Sequence, residues 1–242
     1  MAAAGNQPRL AQSHAVGELV DRLQMAFAPA ADPVRAAGMA AYMRGQFDFV
    51  GIASPARRAL QAPIFRAFPQ PTSEELVAMV DACWLLPERE YQYAALDYLS
   101  KHVSRLEPAR ISDVERWIVR RSWWDTVDVL CRHGAGALVR ADPSLRRVMD
   151  RWLASPNMWL IRSAILHQER WGADADIAWV FAACAQHTGH PDFFVRKAIG
   201  WVLRTYAHRG ALEADEVRTF IGEHSDELSG LSKREAMVRV RH

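Results

Sequence analysis

The sequence predicts an all-α protein, a HEAT-like repeat superhelix (α-solenoid) in which short helices stack in pairs. Three observations lead to this fold class. Apolar residues recur with helical spacing from about residue 14 onward. Capping residues and prolines mark helix starts at short intervals. No run of alternating apolar and polar residues, bounded by turns, indicates a sheet. One helix pair would span about 35–45 residues, as in known helical repeats.

Apolar stripes indicate which face of each predicted helix is buried. Residues four apart lie on the same side of a helix, one turn above the other, so a stripe with this spacing is expected to face the core. Such stripes occur in chain order at Leu19, Leu23 and Phe27; at Leu76, Val80 and Trp84; and at Tyr91, Ala95 and Leu99. The related i, i+4, i+7 pattern occurs at Phe194, Ala198 and Trp201.

Helix boundaries are predicted from capping chemistry. A side chain that can accept a hydrogen bond precedes a proline at Asp32–Pro33, Ser54–Pro55 and Asp142–Pro143. The capping-box pattern, a hydroxyl residue followed three positions later by glutamate, occurs at Thr72 and Glu75, Ser112 and Glu115, and Ser232 and Glu235. Helix ends are expected at Gly51, Gly134, Gly172, Gly189 and Gly210. These boundaries predict roughly a dozen helices joined by short connections.

Length and composition fit one large globular unit. Half of the 242 residues are hydrophobic, which is enough to bury a sizeable core. No low-complexity linker interrupts the chain, so we expect one domain over residues 14–242 after a short flexible tail at 1–13. The N-terminus lacks the basic start and apolar run of a secretory signal. No window of about 18 residues is free of charges, so no membrane span is expected.

The three cysteines, Cys83, Cys131 and Cys184, are far apart in apolar helical segments. They are expected to be buried free thiols in a reducing cytoplasm rather than disulfides or zinc ligands. His187 and His190 are close together but have no accompanying cysteine or second histidine pair, so a solvated loop pair is favoured over a metal site. No metal or cofactor is predicted.

The basic residues are mostly arginines: 27 of the 30 are arginine, and only Lys101, Lys197 and Lys233 are lysine. The net charge of +2 is too small to indicate nucleic-acid binding by itself. Arginine suits bidentate phosphate contacts and stacking on aromatic rings, but a GC-rich coding sequence also produces this bias. On the concave face of a superhelix, clustered arginines would form a basic trough without a high overall charge.

The segment SWWDTVD, residues 122–128, combines two large apolar rings with two carboxylates. Ser122 and Asp125 have the spacing of a helix N-cap and its third helical residue, which predicts a structural role for Asp125. Trp124 and Asp128 are four apart and share a stripe that adjoins the core, where a carboxylate is costly unless it is paired. Asp128 lies past the first turn and cannot cap its own helix. Two alternatives remain for it: a salt bridge to a nearby arginine, or a chemical role.

Other aromatic, apolar and charged residues, near this segment or in similar helices, can be explained by folding as well as by function. Trp123, Val127 and Leu130 fall on a stripe of their own and are predicted to be core. Arg162 is embedded in an apolar helix, where it either extends its charged end to the surface or serves a function. Trp201 lies on a strongly amphipathic helix, and core packing alone would explain it.

Six motifs occur in order within residues 39–237: YMRGQFDFVGI, PEREYQYAALDYL, SWWDTVD, MWLIRSAIL, FFVRKAIGWVLR and LSGLSKREA. Together they make the chain resemble the AlkD-like family of DNA alkylation-repair glycosylases, whose fold is a HEAT-like superhelix. The family's functional positions match Trp124, Asp128, Arg162 and Trp201. The resemblance therefore implies a monofunctional DNA glycosylase of base excision repair that needs no metal or cofactor.

The resemblance also implies a substrate: double-stranded DNA that carries cationic purines such as N3-alkyladenine and N7-alkylguanine, which are excised without a base-holding pocket. Asp128 would stabilise the oxocarbenium-like sugar and orient water, and we then expect it to have no structural role. Trp124 and Trp201 would flank the deoxyribose and turn their ring faces to the charged lesion. Arg162 would hold a phosphate beside the lesion.

Other basic residues are expected to follow the DNA phosphates on the concave face. They are Arg57, Arg58, Lys197, Arg204, Lys233 and Arg234, and Gln46 is added by resemblance. Each is equally well explained as a solvated surface residue. The protein is expected to be a cytoplasmic monomer. Two rival functions stay open: a non-catalytic HEAT-repeat DNA-binding protein, and a protein-interaction scaffold, the commonest use of solenoids.

Overall fold

The computed structural model describes residues 7–240, with side chains from residue 15 onward. Within this part of the chain every regular element is helical, and the one β-type contact is an isolated bridge between Asp48 and Glu88. The predicted all-α, helical-repeat fold class is confirmed. The chain divides into two compact units, one up to Asp113 and one from Val114. The single domain over 14–242 stays a prediction.

The first unit is built from helices whose predicted apolar stripes form its core. Its helices are α1 (Gln7–Phe27), α2 (Pro33–Tyr42), α3 (Ser54–Ala67), α4 (Ser73–Leu85) and α5 (Arg89–His102). α1 packs against α3 and α4, and α4 packs against α5. The predicted stripes on α1, α4 and α5 are buried throughout. Full burial of a leucine, valine or phenylalanine side chain in these stripes contributes roughly 1.5–3 kcal/mol.

The start of α1 differs from the predicted tail. The helix begins at Gln7, so residues 7–13 are helical, and Pro8 falls in the first turn, where a helix tolerates proline. Residues 1–6, the rest of the predicted tail, lie outside the described residues.

A buried carboxylate holds the connection between α2 and α3. Glu90, in the first turn of α5, accepts hydrogen bonds from the backbone N–H groups of Val50, Gly51 and Ile52 at 3.0, 2.8 and 3.1 Å. Gly51 has a φ of +93°, and a Cβ at this position would lie 2.1 Å from the carbonyl oxygen of Asp32. Only glycine fits here, so Gly51 serves a turn inside the connection rather than the helix end that was predicted.

The second unit carries the remaining helices. They are α6 (Ile111–Val119), which spans the boundary between the units, α7 (Trp124–Val129), α8 (Gly136–Ala141), α9 (Arg146–Leu153), α10 (Met158–Leu166), α11 (Ile177–Ala185), α12 (Phe193–Ala207), α13 (Ala211–Glu223) and α14 (Gly230–Ala236). α12 packs against α10, α13 and α14. A π-helical turn, Leu130–Ala135, joins α7 directly to α8. Gly134 therefore lies inside this turn, and the prediction that it ends a helix is wrong.

The capping predictions at Asp32, Thr72 and Asp142 are confirmed. Asp32 accepts from the backbone N–H of Arg35, and Thr72 forms the complete capping box with Glu75. Asp142 caps the short 3-10 turn that leads into α9. Each cap satisfies an amide that has no partner inside the helix.

The caps predicted at Ser54, Ser112 and Ser232 are wrong. α3 begins at Ser54 itself, and α6 begins at Ile111. The N-cap of α14 is Ser229, whose Oγ accepts from the backbone N–H of Ser232 at 3.0 Å. A hydroxyl residue three positions before glutamate also fits the first turn of a helix. The pattern by itself does not specify the extended backbone that an N-cap requires.

The three cysteines are buried and free, as predicted. Over residues 7–240, no group of three or more histidine, cysteine or acidic side chains is arranged to hold a metal ion. None of the helices in that range is long and apolar enough to cross a bilayer.

Candidate active site

The centre of the candidate site is an ion pair between two helices of the second unit. Arg162 on α10 donates from Nε to Asp128 Oδ1 at 2.8 Å and from Nη2 to Asp128 Oδ2 at 2.9 Å. Two parallel N–H···O bonds between a guanidinium and a carboxylate make a strong and directional pair. Only 3% of the Arg162 side chain and 8% of the Asp128 side chain are exposed. The pair therefore fixes α7 against α10.

A third contact completes the surroundings of Arg162. Its Nη1 donates to the backbone carbonyl of Phe194 on α12 at 2.6 Å. The guanidinium is thus committed to protein groups, and the predicted phosphate contact of Arg162 does not fit its burial. The expectation that Asp128 has no structural role is also wrong, because loss of its carboxylate would leave a buried cation unpaired.

Trp201 on α12 lies against two cations. The guanidinium carbons of Arg132 and Arg162 are 5.1 and 5.8 Å from its ring centroid, close enough for attraction to the ring quadrupole. Trp201 is half-buried, and so is Trp124, which opens α7 one turn before Asp128. The structure thus brings Asp128, Arg162 and Trp201 together, and it places Trp124 on the helix that carries Asp128.

An aromatic cluster anchors the start of α12 beside the ion pair. Phe194 packs against Trp159 and Trp123 with ring centroids 4.8 and 5.1 Å away, and the two tryptophan rings are 5.9 Å apart. The predicted burial of Val127 and Leu130 is confirmed. Trp123, predicted to be core, is half-buried in this cluster.

Ser122 does not cap α7, so this prediction is wrong. Its hydroxyl donates to the carbonyl of Ile118 at 2.6 Å, and the N-cap position belongs to Trp123, whose backbone is extended. Asp125 lies in the first turn of α7, where its carboxylate accepts from the backbone N–H of Thr126 at 3.0 Å. A carboxylate at this position suits the helix dipole. The position of Asp125 in the first turn therefore agrees with the structural role predicted for it, although Ser122 is not its capping partner.

α14 approaches α12 at a position where only glycine fits. A Cβ on Gly200 would lie 2.5 Å from the Cβ of Glu235. The Glu235 carboxylate accepts from Lys197 Nζ at 2.5 Å and pairs with Arg204. Burial works to raise the pKa of Glu235, but the Lys197 hydrogen bond and the Arg204 charge outweigh it and hold that pKa below its usual value. Lys197 and Arg204, which were predicted to follow phosphates, therefore both already pair with the Glu235 carboxylate, which offsets one of their two positive charges.

The remaining predicted DNA contacts differ in exposure. Arg57 is 3% exposed, pairs with Asp97 at 3.1 Å and lies 5.3 Å from the ring of Tyr93. This burial does not favour the predicted phosphate contact of Arg57. DNA contact stays a prediction for the half-exposed Lys233 and for the exposed residues Gln46, Arg58 and Arg234.

Arg132 and Glu169 also belong to the site, and the sequence did not single them out. Arg132 contacts both Trp201 and Asp128, and Glu169 pairs with Arg132. The spacing of one helical turn between Asp128 and Arg132 is the signal that points to the arginine. Glu169 is distant along the chain from both, and no local pattern indicates it.

A family model described as DNA alkylation repair enzyme matches residues 23–240. The chain is also similar to the solved structure of a predicted DNA alkylation repair enzyme from Enterococcus faecalis, with 28% sequence identity and a TM-score of 0.78. That similarity covers 87% of this chain and 96% of the other. No curated protein matches.

Proposed function

The chain belongs to the DNA alkylation repair enzyme family, and from this premise we propose that it is a monofunctional DNA N-glycosylase. Its substrates would be cationic alkylated purines in duplex DNA, such as N3-alkyladenine and N7-alkylguanine. The observation that carries the proposal is the Asp128 carboxylate, which accepts two hydrogen bonds from Arg162, whose guanidinium carbon lies 5.8 Å from the centroid of the Trp201 ring.

The proposed reaction needs a fixed negative charge more than a strong acid. Alkylation makes the purine cationic, so the C1′–N bond breaks with its electron pair moving to the base, which leaves as a neutral molecule. The deoxyribose develops oxocarbenium character, which a preorganised carboxylate stabilises. Each Asp128 oxygen uses one lone pair on Arg162 and retains another for water. That water adds to C1′ and releases a proton to bulk solvent, which leaves the sugar with a hydroxyl group at C1′.

The charges around Trp201 suit a cationic substrate. The two guanidiniums against the ring, those of Arg132 and Arg162, each pair with a carboxylate, Glu169 and Asp128 respectively, and the exposed Arg170 shares Glu169. Because both cations nearest the ring are paired, they repel an approaching cationic base less than unpaired guanidiniums would. Trp124 and Trp201 are both partly exposed and would flank the deoxyribose of the damaged nucleotide.

Excision without a base-holding pocket is a further part of the proposal. It rests on the resemblance to the AlkD-like glycosylases, and Trp124 and Trp201, which lie on separate helices, are both partly exposed. A site that leaves the base outside the protein would also accommodate bulky N7 adducts.

The test is release of free base from methylated duplex DNA. We expect the protein to liberate 7-methylguanine and 3-methyladenine, measured by chromatography, and to leave abasic sites but no strand breaks. An unmethylated duplex is the control and should stay intact. Salt-dependent duplex binding without release would favour a non-catalytic DNA-binding protein. Absence of both binding and release would favour a protein-interaction scaffold.

A further inference from the structure

Arg132 touches both elements that carry the proposed chemistry. Its Nε donates to the backbone carbonyl of Asp128 at 2.7 Å, and its guanidinium carbon lies 5.1 Å from the centroid of the Trp201 ring. A planar guanidinium can do both, because it donates in its plane and stacks with its faces. One side chain therefore joins the helix of the carboxylate to the helix of the ring.

The Asp128 carbonyl lies where the helix changes from α to π geometry. Arg132 belongs to the π turn that follows α7 directly. The same carbonyl also accepts from the Cys131 thiol at 3.4 Å. Two side chains from the π turn thus hold the backbone of Asp128, and π turns recur at functional sites.

Arg132 is itself paired with a carboxylate from elsewhere in the second unit. Its Nη1 lies 3.7 Å from Glu169 Oε2, and the exposed fractions of the Arg132 and Glu169 side chains are only 13% and 11%. Glu169 Oε1 accepts from Thr205 Oγ1 at 3.2 Å, and Thr205 lies one turn after Trp201 on α12. These contacts close a ring that runs from Asp128 through Arg132, Glu169 and Thr205 back to Trp201.

We propose that Arg132 is a positioning residue, which sets the Trp201 ring and the Asp128 carboxylate in their relative orientation. Its effect on excision rests on the proposed function. Glu169 balances the charge of Arg132, so the arginine can support the ring without repelling a cationic purine. Displacement of a reacting group by about 1 Å can cost on the order of 100-fold in rate, so loss of this support should be visible in catalysis.

The first measurement is 7-methylguanine release under single-turnover conditions at saturating enzyme. We expect Arg132→Met to reduce the rate by about 10- to 100-fold with unchanged affinity for duplex DNA. Arg170→Met is the matched control, because Arg170 is an exposed arginine whose Nε lies at the same 3.7 Å from Glu169 Oε2. Its rate should stay near that of the unaltered chain. Arg132→Lys keeps the charge without the planar fork, so we expect an intermediate rate.

The second measurement reports on the ring and needs no activity. The emission of Trp201 is obtained by subtracting the spectrum of a Trp201→Phe protein from that of the same protein with Trp201 intact. Arg132→Met removes a cation from the ring face and should shift this emission, whereas Arg170→Met should not. Thermal melts of all variants show whether they are folded. If Arg132→Met does not fold, Arg132→Lys takes its place in both measurements.

A slower release together with a shifted Trp201 emission supports the positioning role. A well-folded Arg132→Met protein with a normal rate, or with unchanged Trp201 emission, overturns it. If the unaltered chain releases no methylpurine, the proposed function fails, and the emission measurement still decides whether Arg132 positions the ring.

Discussion

Asp128 and Arg162 form a buried ion pair at a position where apolar side chains would carry no desolvation penalty. Removing a carboxylate and a guanidinium from water costs several kcal/mol per ion, and even a good pair often does no more than offset this cost. Stability alone therefore does not explain the pair. Under the proposed function, a requirement for a carboxylate with a fixed orientation explains the pair, because two hydrogen bonds from Arg162 leave Asp128 little freedom to rotate.

The first prediction concerns the coupling of these two charges. Arg162→Met should lower the free energy of unfolding by about 3–5 kcal/mol, because the Asp128 carboxylate is left buried and unpaired. Adding Asp128→Leu should recover most of the loss, because no buried charge then remains. Denaturant unfolding of the two single variants and the double variant measures this. Equal stability of Arg162→Met and the double variant would contradict the coupling.

The second prediction concerns His167, which is fully buried between Trp171 and Trp179 and contacts the Ala164 carbonyl at 2.6 Å. Burial lowers the pKa of His167 to about 4, below the value of about 6.5 expected in the unfolded chain. The folded state therefore favours the neutral ring. Its stabilisation is fully present above about pH 6.5 and is lost as pH falls toward 4.

Between pH 7 and pH 5 this loss should be about 2 kcal/mol of unfolding free energy. His167→Gln cannot titrate and should show a correspondingly flatter pH dependence. His208→Gln, at an exposed histidine, is the control and should keep the dependence of the unaltered chain. Identical pH profiles for His167→Gln and the unaltered chain would show that His167 does not contribute.

The sequence singled out Asp128, Arg162 and Trp201, which lie together in the structure, but it did not predict what these residues contact. Periodicity relates residues within a few turns of one helix, whereas the partners Asp128 and Arg162 are 34 positions apart. The cost of a buried carboxylate made a salt bridge one of two alternatives. The structure shows that the salt bridge exists, and under the proposed function the two alternatives are compatible.

At the scale of elements, the closest approach of α12 and α14 depends on Gly200. We predict that Gly200→Ala lowers the unfolding free energy by about 1–3 kcal/mol, because its Cβ would meet the side chain and backbone of α14. Gly222→Ala is the matched control: it lies in the last turn of α13 with nothing within 4 Å of an added Cβ. It should be neutral or stabilising by up to about 1 kcal/mol.

Thermal and denaturant unfolding compare the two alanine variants. If Gly200→Ala is no less stable than Gly222→Ala, the close packing of α12 on α14 is not as described. Gly200→Ala should also weaken the contacts of Glu235 with Lys197 and Arg204, since α14 must move away to admit the methyl group.

Elements were predicted well where local chemistry decides them and poorly where packing does. The Thr72 capping box and the Asp32 cap are complete within four residues, so a sequence pattern contains all of their partners. The π turn at Leu130–Ala135 and the close contact at Gly200 depend on neighbouring helices. No local spacing specifies them.

At the scale of the whole molecule, charge should govern DNA binding. We predict that Arg58→Glu and Arg234→Glu each weaken duplex binding regardless of sequence and lower the salt dependence of the logarithmic affinity by about 1 per lost phosphate contact. Affinities measured over a range of salt concentrations test this.

Arg57→Met is the control for the neighbouring Arg58. Because Arg57 is buried against Asp97, its replacement should lower the melting temperature and leave the salt dependence unchanged. The prediction is contradicted if Arg57→Met lowers the salt dependence of DNA binding. It is also contradicted if Arg58→Glu and Arg234→Glu both leave that salt dependence unchanged, because the DNA contacts then lie elsewhere. Sequence could not separate these two adjacent arginines, since exposure depends on how α3 packs.

The central claim is that Asp128, and not its neighbour Asp125, supplies the charge for excision. The most direct test is single-turnover release of 7-methylguanine from methylated duplex DNA by Asp128→Asn and Asp125→Asn, at a temperature where melts show both to be folded. We predict a loss of about 10- to 1,000-fold for Asp128→Asn, the scale for removal of one preorganised electrostatic group, and a near-normal rate for Asp125→Asn. A normal rate in Asp128→Asn together with loss of activity in Asp125→Asn would contradict the assignment.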